Sequence, residues 1–211
     1  MNDVTTPIKI NQTLLEQESH GFTYDISNHT ELTQCFVAQK KYFLQSSYPS
    51  YQQRITDLKA LKRLLIENQQ AFIDAMSHDF GHRSADDSRI GDILTTVMGI
   101  NYTIKRLKRW MKAEKKHVGV LFQPASAKVI YQPKGVVGII APWNYPVFLS
   151  LGPLTAALAA GNVAMIKMSE YTPKTTSLLA EVISNSFLQE RIAIVSGDAQ
   201  MAASFSNLAF D

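Results

Sequence analysis

The stretch VVGIIAPWNYP, residues 136–146, decides the fold of this chain, because a continuous apolar run passes abruptly into a loop bounded by two prolines. Such a run predicts a strand that is covered on both faces of a parallel sheet. The alternation continues with a Leu- and Ala-rich helix that Gly161 closes, a strand over residues 163–168, a helix from Thr172 to about Phe187, and a strand over residues 191–195. Three strands with helices between them predict a doubly wound, Rossmann-like parallel α/β sheet.

The sequence before residue 117 has the apolar periodicity of helices instead. Its stripes predict a helix over residues 30–46, a second over residues 50–81 with Ser50 as N-cap, and a third over residues 85–116. The third helix is expected to turn these apolar residues inward: Ile90, Ile93, Leu94, Val97, Ile104, Leu107 and Met111. Its C-terminal end would carry Lys112, Lys115 and Lys116, where cations complement the helix dipole.

Two short apolar runs, residues 118–122 and 128–131, follow the helical half, and a polar segment with a proline separates them. They predict a β-hairpin with a long loop. We therefore expect an α/β protein with four regions: residues 1–29, which we cannot place, a helical region over residues 30–117, a β-hairpin over residues 118–134, and the parallel α/β region over residues 135–211.

The composition is typical of a globular protein, with 45% hydrophobic and 18% charged residues. The longest apolar stretch, residues 147–160, is too short to span a bilayer, and residues 1–10 contain no apolar run typical of a secretory signal. Cys35 is the only cysteine, which excludes an internal disulfide and a multi-cysteine metal site, and its helical stripe is typical of a buried residue. We expect a cytoplasmic protein without a metal or a membrane contact.

Basic residues are concentrated between Lys105 and Lys134, where nine Lys or Arg residues accompany one acid, Glu114. Such a patch indicates either a nucleic-acid surface or a solvated helix end. We favour the helix end and expect no nucleic-acid partner, because no recognised nucleic-acid motif accompanies the run.

Two segments carry the candidate chemistry. One is the loop around Trp143 and Asn144, and the other is the strand end from Lys167 to Glu170. Taken singly, Trp143 could be a core residue, Asn144 could form an Asx-turn, and Lys167 with Glu170 could be an exposed ion pair. Because both segments follow parallel strands, whose carboxyl ends bind ligands in such sheets, we interpret them as one site.

These motifs resemble the aldehyde dehydrogenase superfamily. The resemblance rests on a strand followed by Pro-Trp-Asn-aromatic-Pro, on a strand that ends in Lys-x-Ser-Glu, and on the helix over residues 152–162 between them. Residues 58–65 and 79–84, together with Met168 inside the second motif, resemble the coniferyl-aldehyde dehydrogenase branch. The resemblance extends over residues 30–211 and makes residues 135–211 the first part of an NAD(P)-binding domain.

The resemblance also implies roles for individual residues. Asn144 matches the amide that stabilises the oxyanion when a catalytic thiolate attacks the aldehyde, and Lys167 and Glu170 match residues that hold the adenosine ribose. The implied cofactor is NAD or NADP, with NAD favoured because of the Glu170 carboxylate. The complete implied set of cofactor-binding residues is Ile140, Pro142, Trp143, Lys167, Ser169, Glu170 and Gly197.

The family's cysteine nucleophile and glutamate base have no matching positions here. The resemblance therefore implies a truncated cofactor domain in an N-terminal fragment of an enzyme that oxidises an aldehyde to the carboxylic acid, with a coniferyl-aldehyde-like aromatic substrate as the leading candidate. We expect this chain alone to be inactive and poorly soluble, with its third parallel strand left as a sheet edge. The full-length form is expected to be a homo-oligomer joined through the hairpin. The alternative is a non-catalytic NAD(P)-binding or assembly module.

Overall fold

Four parallel strands form the central sheet of this computed structural model, which describes residues 25–46 and 48–211. Their order across the sheet is β1-β6-β5-β4, and each pair of neighbours is parallel. The bounds are Asp25–Ile26 for β1, Val136–Ile140 for β4, Val163–Lys167 for β5 and Ile192–Val195 for β6. The predicted parallel α/β architecture is thereby confirmed.

The helices described are α1 (His29–Gln45), α2 (Tyr51–Glu67), α3 (Gln69–Asp79), α4 (Ala85–Asp87), a π-helical stretch (Ser88–Leu94), α5 (Thr95–Trp110), α6 (Pro146–Ala160), α7 (Pro173–Ser184) and α8 (Ala199–Ser206). Ser50 caps α2 as predicted, since its hydroxyl accepts the Gln53 backbone N–H at 3.1 Å. Gly161 ends α6 with φ +88°, a conformation that glycine adopts without a Cβ penalty.

Helices cover both faces of the sheet. Successive side chains of β5 and β6 point to opposite faces of the sheet, as the two-residue period of a strand requires. One face packs against α2, α3, α5, α6 and α7 through Ala164, Ile166, Ile192 and Ile194. The other face packs against α1 and α8 through Met165, Ala193 and Val195. Strand β4 is only partly covered, because Gly138 and Ile140 are exposed; the prediction that it is buried on both faces was wrong there.

The predicted helix over residues 50–81 is two helices, α2 and α3, separated at Asn68. The third predicted helix ends at Trp110, so Lys108 and Arg109 occupy its last turn while Lys115 and Lys116 lie in a strand. Its inward stripe was also wrong at two positions, since Ile90 and Leu94 are exposed. Both lie in the π-helical stretch, whose wider turns change the angular position of side chains relative to an α-helix.

The predicted β-hairpin is present, but its first strand is not the one that the sequence predicted. Strand β2 (Glu114–Lys116) pairs antiparallel with β3 (Ala127–Val129), and the predicted first strand at residues 118–122 is wrong. Val120–Phe122 forms a 3-10 turn whose apolar side chains are exposed. Apolar content indicated a strand there, but pairing depends on register, and the register places Glu114 opposite Val129.

The start of α7 and the edge of the sheet also differ from expectation. Thr172 precedes Pro173 as predicted, but its side chain makes no capping hydrogen bond; Asp79 of α3 caps the helix instead. The third predicted strand, β6, is not a sheet edge because β1 pairs with it. Residues 25–26 of the unplaced N-terminal segment thus join the sheet, whereas residues 1–24, including the stretch examined for a secretory signal, lie outside the described residues. Among the described helices, none has the length and apolar content that crossing a membrane requires.

Candidate functional site

Strand register brings the predicted site residues to one edge of the sheet. Ile140 at the end of β4 pairs with Lys167 at the end of β5, and Lys167 pairs in turn with Val195 at the end of β6. The segments that follow these strands therefore emerge side by side. They carry Ile140, Pro142, Trp143 and Asn144 after β4, Lys167, Ser169 and Glu170 after β5, and Gly197 after β6.

Strand β4 is at one edge of the four-stranded sheet, and Asp211 lies beside its unpaired side. From β4 the chain moves outward through β5 to β6, and after α8 it returns. Asp211 donates its backbone N–H to the Val136 carbonyl at 3.1 Å and accepts the Val136 N–H at 3.0 Å. Because the adjacent Gly135 carbonyl bonds to β5, Val136 directs its backbone groups to the opposite side of β4. The loop after β4 therefore follows the carboxyl end of a parallel strand, the end at which doubly wound sheets bind ligands.

The loop after β4 leaves its two candidate side chains accessible. Trp143 is 53% exposed and contacts Phe80, with 6.2 Å between the ring centroids, so it is not a core residue. Asn144 is also exposed, and within residues 25–46 and 48–211 its carboxamide has no hydrogen-bond partner, which argues against an Asx-turn. The amide donor of Asn144 is consequently free for a ligand.

Arg83, which the sequence did not single out, holds this loop by its backbone. Its Nη1 donates to the Asn144 carbonyl oxygen at 2.9 Å. The guanidinium also lies between the rings of Phe80 and Tyr145, at 5.0 and 4.7 Å from their centroids. Residues 79–84 contribute only to the family resemblance, and no pattern in the sequence pairs Arg83 with residue 144.

Asp92 connects Arg83 to the first turn of α6. Its buried carboxylate accepts the backbone N–H groups of Val147 and Phe148 at 3.0 and 2.9 Å and lies 3.1 Å from Arg83 Nη2. Burial raises the pKa of Asp92, while the two N–H donors and Arg83 oppose that shift. One feature of the sequence could have indicated Asp92: it is an acidic residue among the apolar residues that the third predicted helix was expected to bury.

Lys167 is buried, with 2% of its surface exposed, and is not half of an exposed ion pair. Its Nζ donates to the Met168 carbonyl at 2.7 Å and lies 3.9 Å from a Glu170 carboxylate oxygen, while Glu170 itself is exposed. Burial lowers the pKa of Lys167, whereas the carboxylates of Glu170 and Asp198 raise it. An anchored ammonium beside an accessible carboxylate can donate to and accept from the hydroxyls of one ligand.

Gly197 forms the turn after β6 and requires glycine for two reasons. Its φ is +120°, and a Cβ there would lie 2.8 Å from Met201 Cβ. The next residue, Asp198, caps α8 by accepting the N–H groups of Gln200 and Met201, both at 3.0 Å. The turn therefore carries no side chain at Gly197, next to the end of the strand that holds Lys167.

Cys35 is buried as predicted, among Leu32, Met165 and other residues between α1, α8 and the sheet. Burial, with a smaller contribution from Glu190, raises the pKa of its thiol to about 12. A thiol with this pKa is protonated at neutral pH and is a poor nucleophile. Cys35 therefore does not supply a catalytic thiolate.

The parallel sheet with helices on both faces defines an α/β domain of the Rossmann-like class. The sequence pattern of the aldehyde dehydrogenase family matches residues 17–207, so the chain belongs to this family.

Individual relatives agree with that assignment. The chain is 49% identical over 181 residues to a probable coniferyl aldehyde dehydrogenase of Pseudomonas aeruginosa, covering 86% of this chain and 38% of the relative. A coniferyl aldehyde dehydrogenase of a Pseudomonas species is 41% identical over 82% of this chain and 35% of its own length. The substrate-bound structure of Staphylococcus aureus AldH superposes with a TM-score of 0.82 at 28% identity, over 85% of this chain and 39% of that one. The chain thus spans little more than a third of the length of these relatives.

Proposed function

We propose that this chain supplies the cofactor-binding edge and the oxyanion amide of an NAD(P)-dependent enzyme that oxidises an aldehyde to a carboxylic acid. The observation that carries the proposal is the exposed Asn144 carboxamide, which has no hydrogen-bond partner among residues 25–46 and 48–211. It stands on a loop held by its backbone, beside the Lys167 and Glu170 strand end. The relatives named coniferyl aldehyde dehydrogenase favour an aromatic aldehyde as substrate.

The proposed role of Asn144 follows from its chemistry and its surroundings. A neutral amide aimed at developing negative charge contributes roughly 3 kcal/mol to transition-state stability where it is already oriented. The Arg83 hydrogen bond fixes the backbone of Asn144, and its side chain has no hydrogen-bond partner in the part of the chain that the structure describes. Asn144 can therefore donate to the carbonyl oxygen of an aldehyde as negative charge develops there.

The residues at the strand ends fit the adenosine ribose of a nicotinamide cofactor. Glu170 offers an exposed carboxylate to accept ribose hydroxyls, Lys167 offers a donor in a fixed position, and Gly197 keeps the neighbouring turn free of a side chain. Ile140, Pro142, Trp143 and Ser169 complete the proposed contact set. When bound, the nicotinamide supplies the hydride acceptor. A carboxylate at position 170 favours NAD over NADP, because it would repel a 2′-phosphate.

The binding half of the proposal can be tested on the chain by isothermal titration calorimetry with NAD⁺ and NADP⁺. We expect NAD⁺ to bind more tightly than NADP⁺ and Glu170→Ala to weaken NAD⁺ at least tenfold. The matched control Glu181→Ala, an exposed glutamate on α7, should bind as the parent does. Equal NAD⁺ affinity of both variants would contradict the assignment of the ribose site.

A second candidate, a non-catalytic NAD(P)-binding or assembly module, is favoured by the burial of Cys35, the only cysteine of the 211 residues. Under either candidate we expect no aldehyde-dependent NAD⁺ reduction by this chain alone. Reading the coding DNA beyond the Asp211 codon separates them. Cysteine and glutamate segments of the family in any frame support the enzyme, and their absence supports the module.

The remaining proposals concern partners and location. A homo-oligomer joined through the β2–β3 hairpin is proposed for the full-length protein, since the connecting residues Val120, Leu121 and Phe122 are exposed apolar side chains. We propose no nucleic-acid or membrane partner. A cytoplasmic location is proposed from the single cysteine.

A further inference from the structure

Arg83 makes two interactions with the Asn144 loop and a third with Asp92. It donates from Nη1 to the Asn144 carbonyl at 2.9 Å, it lies 4.7 Å from the centroid of the Tyr145 ring, and its Nη2 is 3.1 Å from Asp92. A planar guanidinium can satisfy these partners at once, whereas an ammonium is a point charge without the fork geometry. The Arg83 side chain is itself almost entirely buried, with 7% exposed.

Asp92 holds the first turn of α6, which directly follows the loop. Asp92 accepts the N–H groups of Val147 and Phe148, two of the donors that a helix leaves unpaired at its N-terminus. Because α6 begins at Pro146, this cap fixes the chain directly after the loop. Arg83 holds residues 144 and 145, Asp92 holds residues 147 and 148, and the two side chains also contact each other.

The π-helical stretch provides room for this arrangement. Gly91 lies in that stretch, and a Cβ at Gly91 would be 2.6 Å from the Tyr145 ring. The ring therefore packs directly on the backbone of residue 91, between that backbone and the Arg83 guanidinium. Single π turns are rare in helices and are frequent at functional sites.

We propose that Arg83 and Asp92 are positioning residues that set the direction of the Asn144 carboxamide, with Gly91 admitting the Tyr145 ring that Arg83 stacks upon. The purpose assigned to Asn144 rests on the proposed function, but the positioning itself can be measured without cofactor or substrate. Neither residue is placed to touch an aldehyde. Arg83 is committed to the loop and to the carboxylates of Asp87 and Asp92, and the Asp92 side chain is fully buried.

Trp143 provides the measurement, because it is adjacent to Asn144 and contacts Phe80. The chain has two tryptophans, so Trp110→Phe leaves Trp143 as the only one. In this background we would compare Arg83→Lys, which keeps the charge, and Asp92→Asn, which keeps the shape, with the control Arg89→Lys on an exposed arginine paired with Asp86. Trp143 emission and acrylamide quenching report the loop, and far-UV circular dichroism reports the helices.

We expect Arg83→Lys and Asp92→Asn to shift Trp143 emission and to raise its quenching constant at least twofold, with helical content retained and Arg89→Lys unchanged. Parental emission and quenching in Arg83→Lys would overturn the proposal. Loss of helical content in both Arg83→Lys and Asp92→Asn would also overturn it, because the pair would then stabilise the fold and not the loop.

Hydrogen exchange and nucleotide binding complete the test. Faster exchange of the residue 141–148 amides in Arg83→Lys, with unchanged exchange in α2, supports positioning, whereas uniform acceleration contradicts it. NAD⁺ affinity should fall less in Arg83→Lys than in Glu170→Ala, because Lys167 and Glu170 at the end of β5 are outside the Asn144 loop. If the parent chain binds no NAD⁺, the proposed function fails, but the Trp143 result still decides whether Arg83 positions the loop.

Discussion

Removing the Asp79 carboxylate should destabilise the chain far more than its position at the end of a helix would indicate. Asp79 accepts the backbone N–H groups of Lys174 and Thr175 at 2.9 and 2.8 Å and the Thr175 hydroxyl at 2.8 Å. It therefore joins α3 to the first turn of α7 across 95 residues of sequence. Loss of an N-cap costs about 1–2 kcal/mol. Loss of one hydrogen bond to a charged group adds about 1.5–3 kcal/mol.

For Asp79→Ala we expect the free energy of unfolding to fall by about 3 kcal/mol, since the two costs are not fully additive. At about 2–4 °C per kcal/mol for a chain of this length, Tm should fall by roughly 6–12 °C. Asp79→Asn keeps one acceptor and should lose about half as much. The control is Asp74→Ala on the same helix, where the exposed carboxylate accepts only from Gln70 and the change should stay within about 0.5 kcal/mol.

Urea unfolding followed by circular dichroism measures these differences, and thermal scans check their order. Equal midpoints for Asp79→Ala and Asp74→Ala would refute the conclusion that the α7 cap is supplied from α3. A loss in Asp79→Asn as large as in Asp79→Ala would refute the hydrogen-bond argument and point to charge alone.

Three further predictions follow from the site and the core. In an aldehyde-oxidising form of the protein, Asn144→Ala should lower turnover by about 10²–10³-fold with NAD⁺ affinity retained, and steady-state kinetics with a cofactor titration checks both. Burial lowers the pKa of Lys167 below its ordinary value of 10.5, so the unfolded state holds that proton to a higher pH than the folded state does. The free energy of unfolding should therefore rise as the pH approaches 10.5. Urea unfolding at a series of pH values should show this rise in the parent and not in Lys167→Met. Equal pH dependence of the two proteins would contradict it. Cys35, with a pKa of about 12, should react with a thiol reagent at pH 8 only as fast as the chain opens, and immediate labelling would show that it is accessible.

Local patterns were sufficient for most helices and strands. Ser50 and Gly161 mark their helix ends by chemistry that operates within a few residues, and the apolar runs of β5 and β6 require burial on both sides. The failures have a common cause. The break at Asn68, the exposed Val120–Phe122 turn and the π-helical stretch depend on what packs beside them, which apolar periodicity does not record.

For the candidate site, the sequence by itself determined which side chains follow the strands, because Asn144, Lys167 and Glu170 stand in motifs that end an apolar run. Only the tertiary structure decided how they are held. The β4–β5 register aligns Ile140 with Lys167. Asp79 and Asp92 reach their partners from helical segments, and Arg83 from the segment between α3 and α4, all distant in sequence from those partners. Such contacts form when helices pack on a sheet, and a one-dimensional pattern carries no distance between residues that far apart.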